Sequence, residues 1–110
     1  MAQTPEGKVK AEIKKLLARM GFIQAGSKKA NWPGEVYGWY YMPVSNGMGV
    51  HGIPDFVCCY HGRFLGIEAK KPGGEPTANQ LNRHEEIKTA MGEVLVVDDV
   101  SVLEAHLRVS

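Results

Sequence analysis

The sequence predicts an α/β domain in which helices pack against a mixed sheet. Three observations carry this expectation. Near the N-terminus Val9, Ile13, Leu16, Leu17 and Met20 recur at helical spacing. Three strand-like runs follow, the last two separated only by His61-Gly62. A helical segment then leads to the unbroken apolar run Val94 to Val97, the pattern of a crossover helix feeding a strand. The order is α-β-β-β-α-β-α, closing on a short C-terminal helix.

Each element has its own local signal. Thr4-Pro5-Glu6 supplies a capping threonine, proline at the first helical position and an acid in the first turn. Gly21 ends that helix. Residues 24–35 hold turn formers without a period and read as a loop. Val36 to Met42 is aromatic and β-branched, as strands are. A glycine-rich loop, Asn46 to Gly52, precedes a second strand at about Asp55 to Tyr60. After the His61-Gly62 turn comes a third, Arg63 to Lys70. Pro72-Gly73-Gly74-Glu75-Pro76 breaks the chain. Thr77-Ala78-Asn79-Gln80 then has the form of a capping box, opening a helix to about Met91. Val94 to Val97 is expected to be buried on both faces. Ser101-Val102-Leu103-Glu104 is a second capping-box pattern and starts the last helix.

With 110 residues the chain is expected to be one domain with a core that needs no disulfide or structural metal. No apolar run approaches a membrane span, and the lysine-dotted N-terminus lacks a signal-peptide core. Cys58 and Cys59 are adjacent and cannot close a useful loop, so a reducing, cytoplasmic setting is expected. The net charge of +1 is too small for bulk electrostatics to hold a polyanion. Binding would need a local patch. Lys28 and Lys29 in one loop, and Arg63, Lys70, Lys71 and Arg83 around the central motif, are the candidates.

The chemistry concentrates in two segments, Gly52-Ile53-Pro54-Asp55-Phe56 and Gly66-Ile67-Glu68-Ala69-Lys70-Lys71. Side chains alternate along a strand, so Glu68 and Lys70 share one face while Ile67 and Ala69 enter the core. With a turn at His61-Gly62, the positions opposite Glu68 fall near Asp55. Two carboxylates can then share one hard cation through oxygen ligands. A lysine beside them can hold a water or a phosphate oxygen. The competing reading is a solvated hairpin with cross-strand charge pairs.

These segments, continued by Pro72-Gly73-Gly74, Thr77 and Gln80, resemble the VRR-NUC branch of the PD-(D/E)XK nuclease superfamily, from Glu6 to the C-terminal helix. The resemblance implies a restriction-endonuclease-like αβββαβ core and a Mg²⁺- or Mn²⁺-dependent DNA endonuclease. Asp55, Glu68 and the backbone carbonyl of Ala69 would ligate the metal, and Lys70 would assist the attacking water or the charged transition state. Glu6 would match the family's acid on the first helix; helical phase puts it on the buried stripe and leaves Glu12 out. Its other reading is an acid complementing the helix dipole. Gln80 would match a glutamine opening the crossover helix. It shares a stripe with His84, Ile87 and Met91, and its competing role is the capping box itself. One side chain is not expected to fill both roles.

Standalone members this small resemble phage or bacterial proteins acting as homodimers on branched DNA such as four-way (Holliday) junctions. The alternatives are a nicking, flap-cleaving or single-strand nuclease, or a nucleic-acid-binding module without catalysis.

Other motifs are set aside. Gly47 to Gly52 spells G-x-G-x-x-G, but a strand follows where the dinucleotide motif requires a helix; its glycines are expected to bring a loop close to a bound backbone or metal. The four histidines show no zinc-ligand spacing with the cysteines. His51 borders the site and could contact a phosphate. Of Trp39, Tyr40 and Tyr41, which could stack bases, at least half must be core.

Overall fold

The computed structural model describes residues 3–44 and 49–109. The first helix, α1, runs Pro5–Arg19, and the Thr4 hydroxyl accepts the Gly7 amide at 3.0 Å as its N-cap. Four core residues of this helix, Val9, Ile13, Leu16 and Leu17, are buried on one stripe. Gly21 follows at φ +83, and Phe22–Gln24 forms a short strand, β1. Sequence reading does not foresee β1. Three residues between a helix and a run of turn formers carry too little pattern, and the partner strand lies beyond a long loop.

The other strands are β2 (Gly38–Tyr41), β3 (Phe56–Tyr60), β4 (Arg63–Ala69) and β5 (Glu93–Val97). They stand in the order β1-β2-β3-β4-β5. The outer pairs β1/β2 and β4/β5 are parallel, and the two inner pairings are antiparallel. The sheet is therefore mixed, as expected. His61 and Gly62 both take positive φ (50° and 79°), the turn that best matches the twist of a two-residue hairpin.

One face of the sheet carries the core. Phe22, Tyr40, Phe56, Cys58, Tyr60, Leu65, Ile67, Ala69 and Val97 meet α1 and the last helix, α3 (Val100–Val109), through Leu103 and Leu107. Phe22 stacks on Tyr60 with centroids 5.0 Å apart and lies over Gly38, where a Cβ would meet the ring at 2.6 Å. The Tyr60 hydroxyl donates to the Leu107 carbonyl at 3.1 Å, anchoring α3. Each fully buried large side chain contributes about 1.5–3 kcal/mol, so this layer dominates the stability.

The crossover helix α2 (Ala78–Thr89) packs on the opposite face, against β5 and over Glu68 of β4. Three expectations change here. The strand β5 is an edge strand with Val96 38% exposed, so its apolar run does not signal burial on both faces. Met91 lies beyond the end of α2 at φ +73 and is exposed, not on the inward stripe. The last helix is capped by Asp99, whose carboxylate accepts the Ser101 amide at 2.9 Å; Glu104 pairs instead with Arg108. Among the described residues no helix is long and apolar enough to cross a membrane.

Candidate active site

The face that α2 covers carries Glu68 of β4. Asp55 directly precedes β3, and the Phe56–Ile67 pairing places it opposite Glu68. Its Oδ2 accepts the Ala69 amide at 2.8 Å, tying the start of β3 to the end of β4. Pro54, which lacks an N–H, stands ahead of it, packed over Gly66.

Glu68 is fully buried, and each of its oxygens has a partner on α2. Gln80 Nε2 donates to Oε2 at 2.9 Å, and His84 Nε2 lies 3.1 Å from Oε1. Burial pushes the Glu68 carboxyl up to about 8. The Asp55 carboxyl on the neighbouring strand adds to the rise, Lys70 opposes it, and Glu6 adds to it weakly. His84 is buried and held below its ordinary value, first by desolvation, then by Lys88 and Lys70. At neutral pH Glu68 therefore keeps a proton, and His84 beside it is uncharged. Lys70 is buried at the end of β4, with its amide on the Val97 carbonyl.

Gln80 fills both of the roles that sequence reading treated as alternatives. Its Oε1 accepts the Thr77 amide at 2.9 Å, and Thr77 Oγ1 accepts the Gln80 amide at 3.2 Å, completing the capping box. The same side chain then offers Nε2 to Glu68. An amide carries an acceptor and a donor on opposite sides, so one glutamine caps the helix and holds the acid. Gly52 supports this arrangement. It sits at φ +88, and a Cβ there would come within 2.4 Å of the Asn79 carbonyl. The glycine brings the loop against the α2 backbone. Gly47 and Met48 lie outside the described residues.

Glu6 reaches this region through Lys10. The Lys10 ammonium lies 3.7 Å from Glu6 and 3.5 Å from Asp55. Glu6 itself remains half-exposed, and among the described residues no three His, Cys, Asp or Glu side chains gather as a ready cation site. Asp55 and Glu68 converge as expected; Glu6 does not complete a triad with them.

The sequence reading missed Lys10 and His84 as participants. Their signal was phase: each stands four residues after a singled-out side chain, Glu6 and Gln80, and so on the same helix face.

The outlying cations divide. Lys71 follows Lys70 and is exposed at the site end of the sheet. The loop with Lys28 and Lys29 leaves β1 at that same end, on the far edge strand. Arg63 opens β4 at the opposite end, about 17 Å from Glu68 at 3.3 Å per residue, and pairs with Glu93. It does not border the site. Arg83 donates to the His51 carbonyl at 3.1 Å and to Glu86 at 2.8 Å, so its guanidinium braces the loop. His51 is exposed and serves this brace through its backbone. Of the three aromatic residues one, Tyr40, is core, fewer than the half expected, because Trp39 and Tyr41 share the face turned away from α1 and α3.

No family model, curated protein or solved structure matches this chain.

Proposed function

We propose that this chain is a divalent-metal-dependent DNA endonuclease of the VRR-NUC, PD-(D/E)XK type, with a restriction-endonuclease-like core, selective for branched DNA such as four-way junctions. The observation that carries the reading is the convergence of Asp55 and fully buried Glu68 beside buried Lys70. Glu68 costs the metal-free fold stability where it stands, and such costs concentrate at functional sites. Two oxygen-donor carboxylates suit a hard cation, so the residues present fit Mg²⁺ or Mn²⁺.

Asp55 and Glu68 would hold the ion, with the Ala69 carbonyl as a further ligand by the family resemblance. When bound, the ion supplies Lewis acidity and lowers the pKa of water at the scissile phosphate. Gln80 and His84 fix the Glu68 carboxyl in one orientation. The buried Lys70 ammonium stabilises the negative charge that gathers on the phosphate as the bond to the leaving oxygen breaks. Lys71, with Lys28 and Lys29 farther along the same sheet end, offers phosphate contacts outside the reacting centre.

Cleavage of labelled four-way junction, flap, nicked and linear duplex DNA by purified protein tests the proposal. Paired cuts across the junction in Mg²⁺ or Mn²⁺, absent on linear duplex, are the expected result. Preferential cutting of flap, nicked or single-stranded DNA would move the substrate assignment. Binding without cleavage in either metal would point to a non-catalytic binding module.

A further inference from the structure

Of the lysines on α1, Lys8, Lys14 and Lys15 are exposed, whereas Lys10 is half-buried. Its place four residues after Glu6 puts the two on one helix face. The packing of α1 on the sheet then brings Lys10 to Asp55 at the start of β3. Its ammonium stands between carboxylates of two elements, 3.7 Å from Glu6 Oε2 and 3.5 Å from Asp55 Oδ1. The Asp55 side chain is only 20% exposed, so this contact is partly shielded from water.

The oxygens of Asp55 and Glu68 all have neighbours, but not of one kind. Glu68 Oε1 and Oε2 face His84 and Gln80, and Asp55 Oδ2 accepts the Ala69 amide. An oxygen with two lone pairs can meet one uncharged donor and still ligate a cation through the other. Asp55 Oδ1 differs, because its neighbour is an ammonium. A divalent ion bound there would lie close to a like charge, where water screens the repulsion only in part. Lys10 is also the partner able to leave, with a flexible stem and a side chain 35% exposed.

We infer that Lys10 is the resident counter-ion of Glu6 and Asp55, that a divalent cation enters the site by displacing it, and that Lys10 thereby sets how tightly the chain holds its metal. The ammonium cancels one of the two carboxylate charges and weakens the field that draws a cation. Partly exposed ion pairs contribute little to stability, so the bridge matters chiefly for what else can bind Asp55. This inference rests on the proposed metal site, but not on DNA cleavage.

Calorimetric titration of Mn²⁺ into the DNA-free full chain reads the affinity. Lys10→Met keeps an unbranched, helix-favouring side chain and removes the charge. It should bind Mn²⁺ about tenfold tighter than wild type, the effect of one nearby unit charge discounted for its exposure to water. Lys14→Met, one turn further along α1 and exposed, should bind as wild type does. In the wild type, acetylation of each lysine followed by mass spectrometry reads the displacement itself. Lys10 should react several-fold faster with the site saturated by Mn²⁺ than in NaCl of equal ionic strength, while Lys14 is unchanged. Matching the salt removes simple screening of the ion pairs. Equal affinities in wild type and Lys10→Met, or a Lys10 reactivity that Mn²⁺ leaves unchanged, would overturn the inference. Both effects in a protein that cuts none of the four DNA substrates would uphold it and refute the endonuclease reading. An active endonuclease showing neither effect would do the reverse.

Discussion

Glu68→Gln should make the metal-free protein more stable above neutral pH, by an amount that follows from the burial of that carboxyl. Glu68 releases its proton near 4.5 in the unfolded chain and near 8 in the fold. The folded state therefore binds the proton more tightly, and stability is full below pH 4.5 and lost as pH rises through 8. At about 1.4 kcal/mol per pH unit, the loss reaches about 3 kcal/mol at pH 7 and about 5 kcal/mol when ionisation is complete. That is a large share of the roughly 5–15 kcal/mol that holds a domain of this size together. A glutamine amide fits the same space, its oxygen accepting from Gln80 and its nitrogen donating to the neutral His84 ring. Urea denaturation of both proteins in a chelator from pH 5 to pH 9 measures the effect. The wild type should weaken steadily across this range relative to the variant, and thermal denaturation at pH 8 should show a melting-temperature gap of about 20 °C. His84, held low, acts in the opposite sense: it destabilises the fold as pH falls below its ordinary 6.5. It is present in both proteins, so their difference reports Glu68. Parallel stability curves would refute the reasoning.

Other substitutions test the rest of the site. Lys70→Ala should reduce junction cleavage by about 10²–10³-fold, the value of a preorganised charge at the reacting centre, while gel-shift affinity changes little. Gly52→Ala forces a Cβ against the Asn79 carbonyl at φ +88 and should cost more than about 2 kcal/mol in urea denaturation, loosening Gln80 with it. Lys71→Ala should lower DNA affinity and reduce the salt dependence of binding by about one phosphate contact. Arg63→Ala, at the far end of β4, should leave both cleavage and its salt dependence unchanged.

The parts of the fold legible in the sequence were those with dense local signals. The helix caps at Thr4 and Thr77, the His61-Gly62 turn and the alternation along β4 each rest on neighbours within a few residues. The strand β1 and the edge position of β5 depend on long-range pairing, which periodicity does not encode. At the last helix the expected cap, Ser101, gives way to Asp99 two residues earlier, whose carboxylate accepts the Ser101 amide.

The site divides along the same line. Asp55 opposite Glu68 follows from strand register, and Gln80 from a capping box. His84 shares the helical stripe of Gln80 and Lys10 stands four residues after Glu6, but what they touch, Glu68 and Asp55, follows only from how α2 and α1 pack on the sheet. The double use of Gln80 needed the actual direction of its amide. Arg63 and Arg83 looked alike in sequence, as basic residues near the motif. In the fold one lies a strand length away, and the other braces a loop.

The most direct measurement of the central claim is calorimetric titration of Mn²⁺ into the DNA-free protein at neutral pH, in buffers of different ionisation enthalpy. Mn²⁺ should bind and release a proton as it displaces the one held by Glu68, and Asp55→Asn should abolish the binding. Absence of Mn²⁺ binding at millimolar concentration, or the same binding and proton release in Asp55→Asn, would contradict the account.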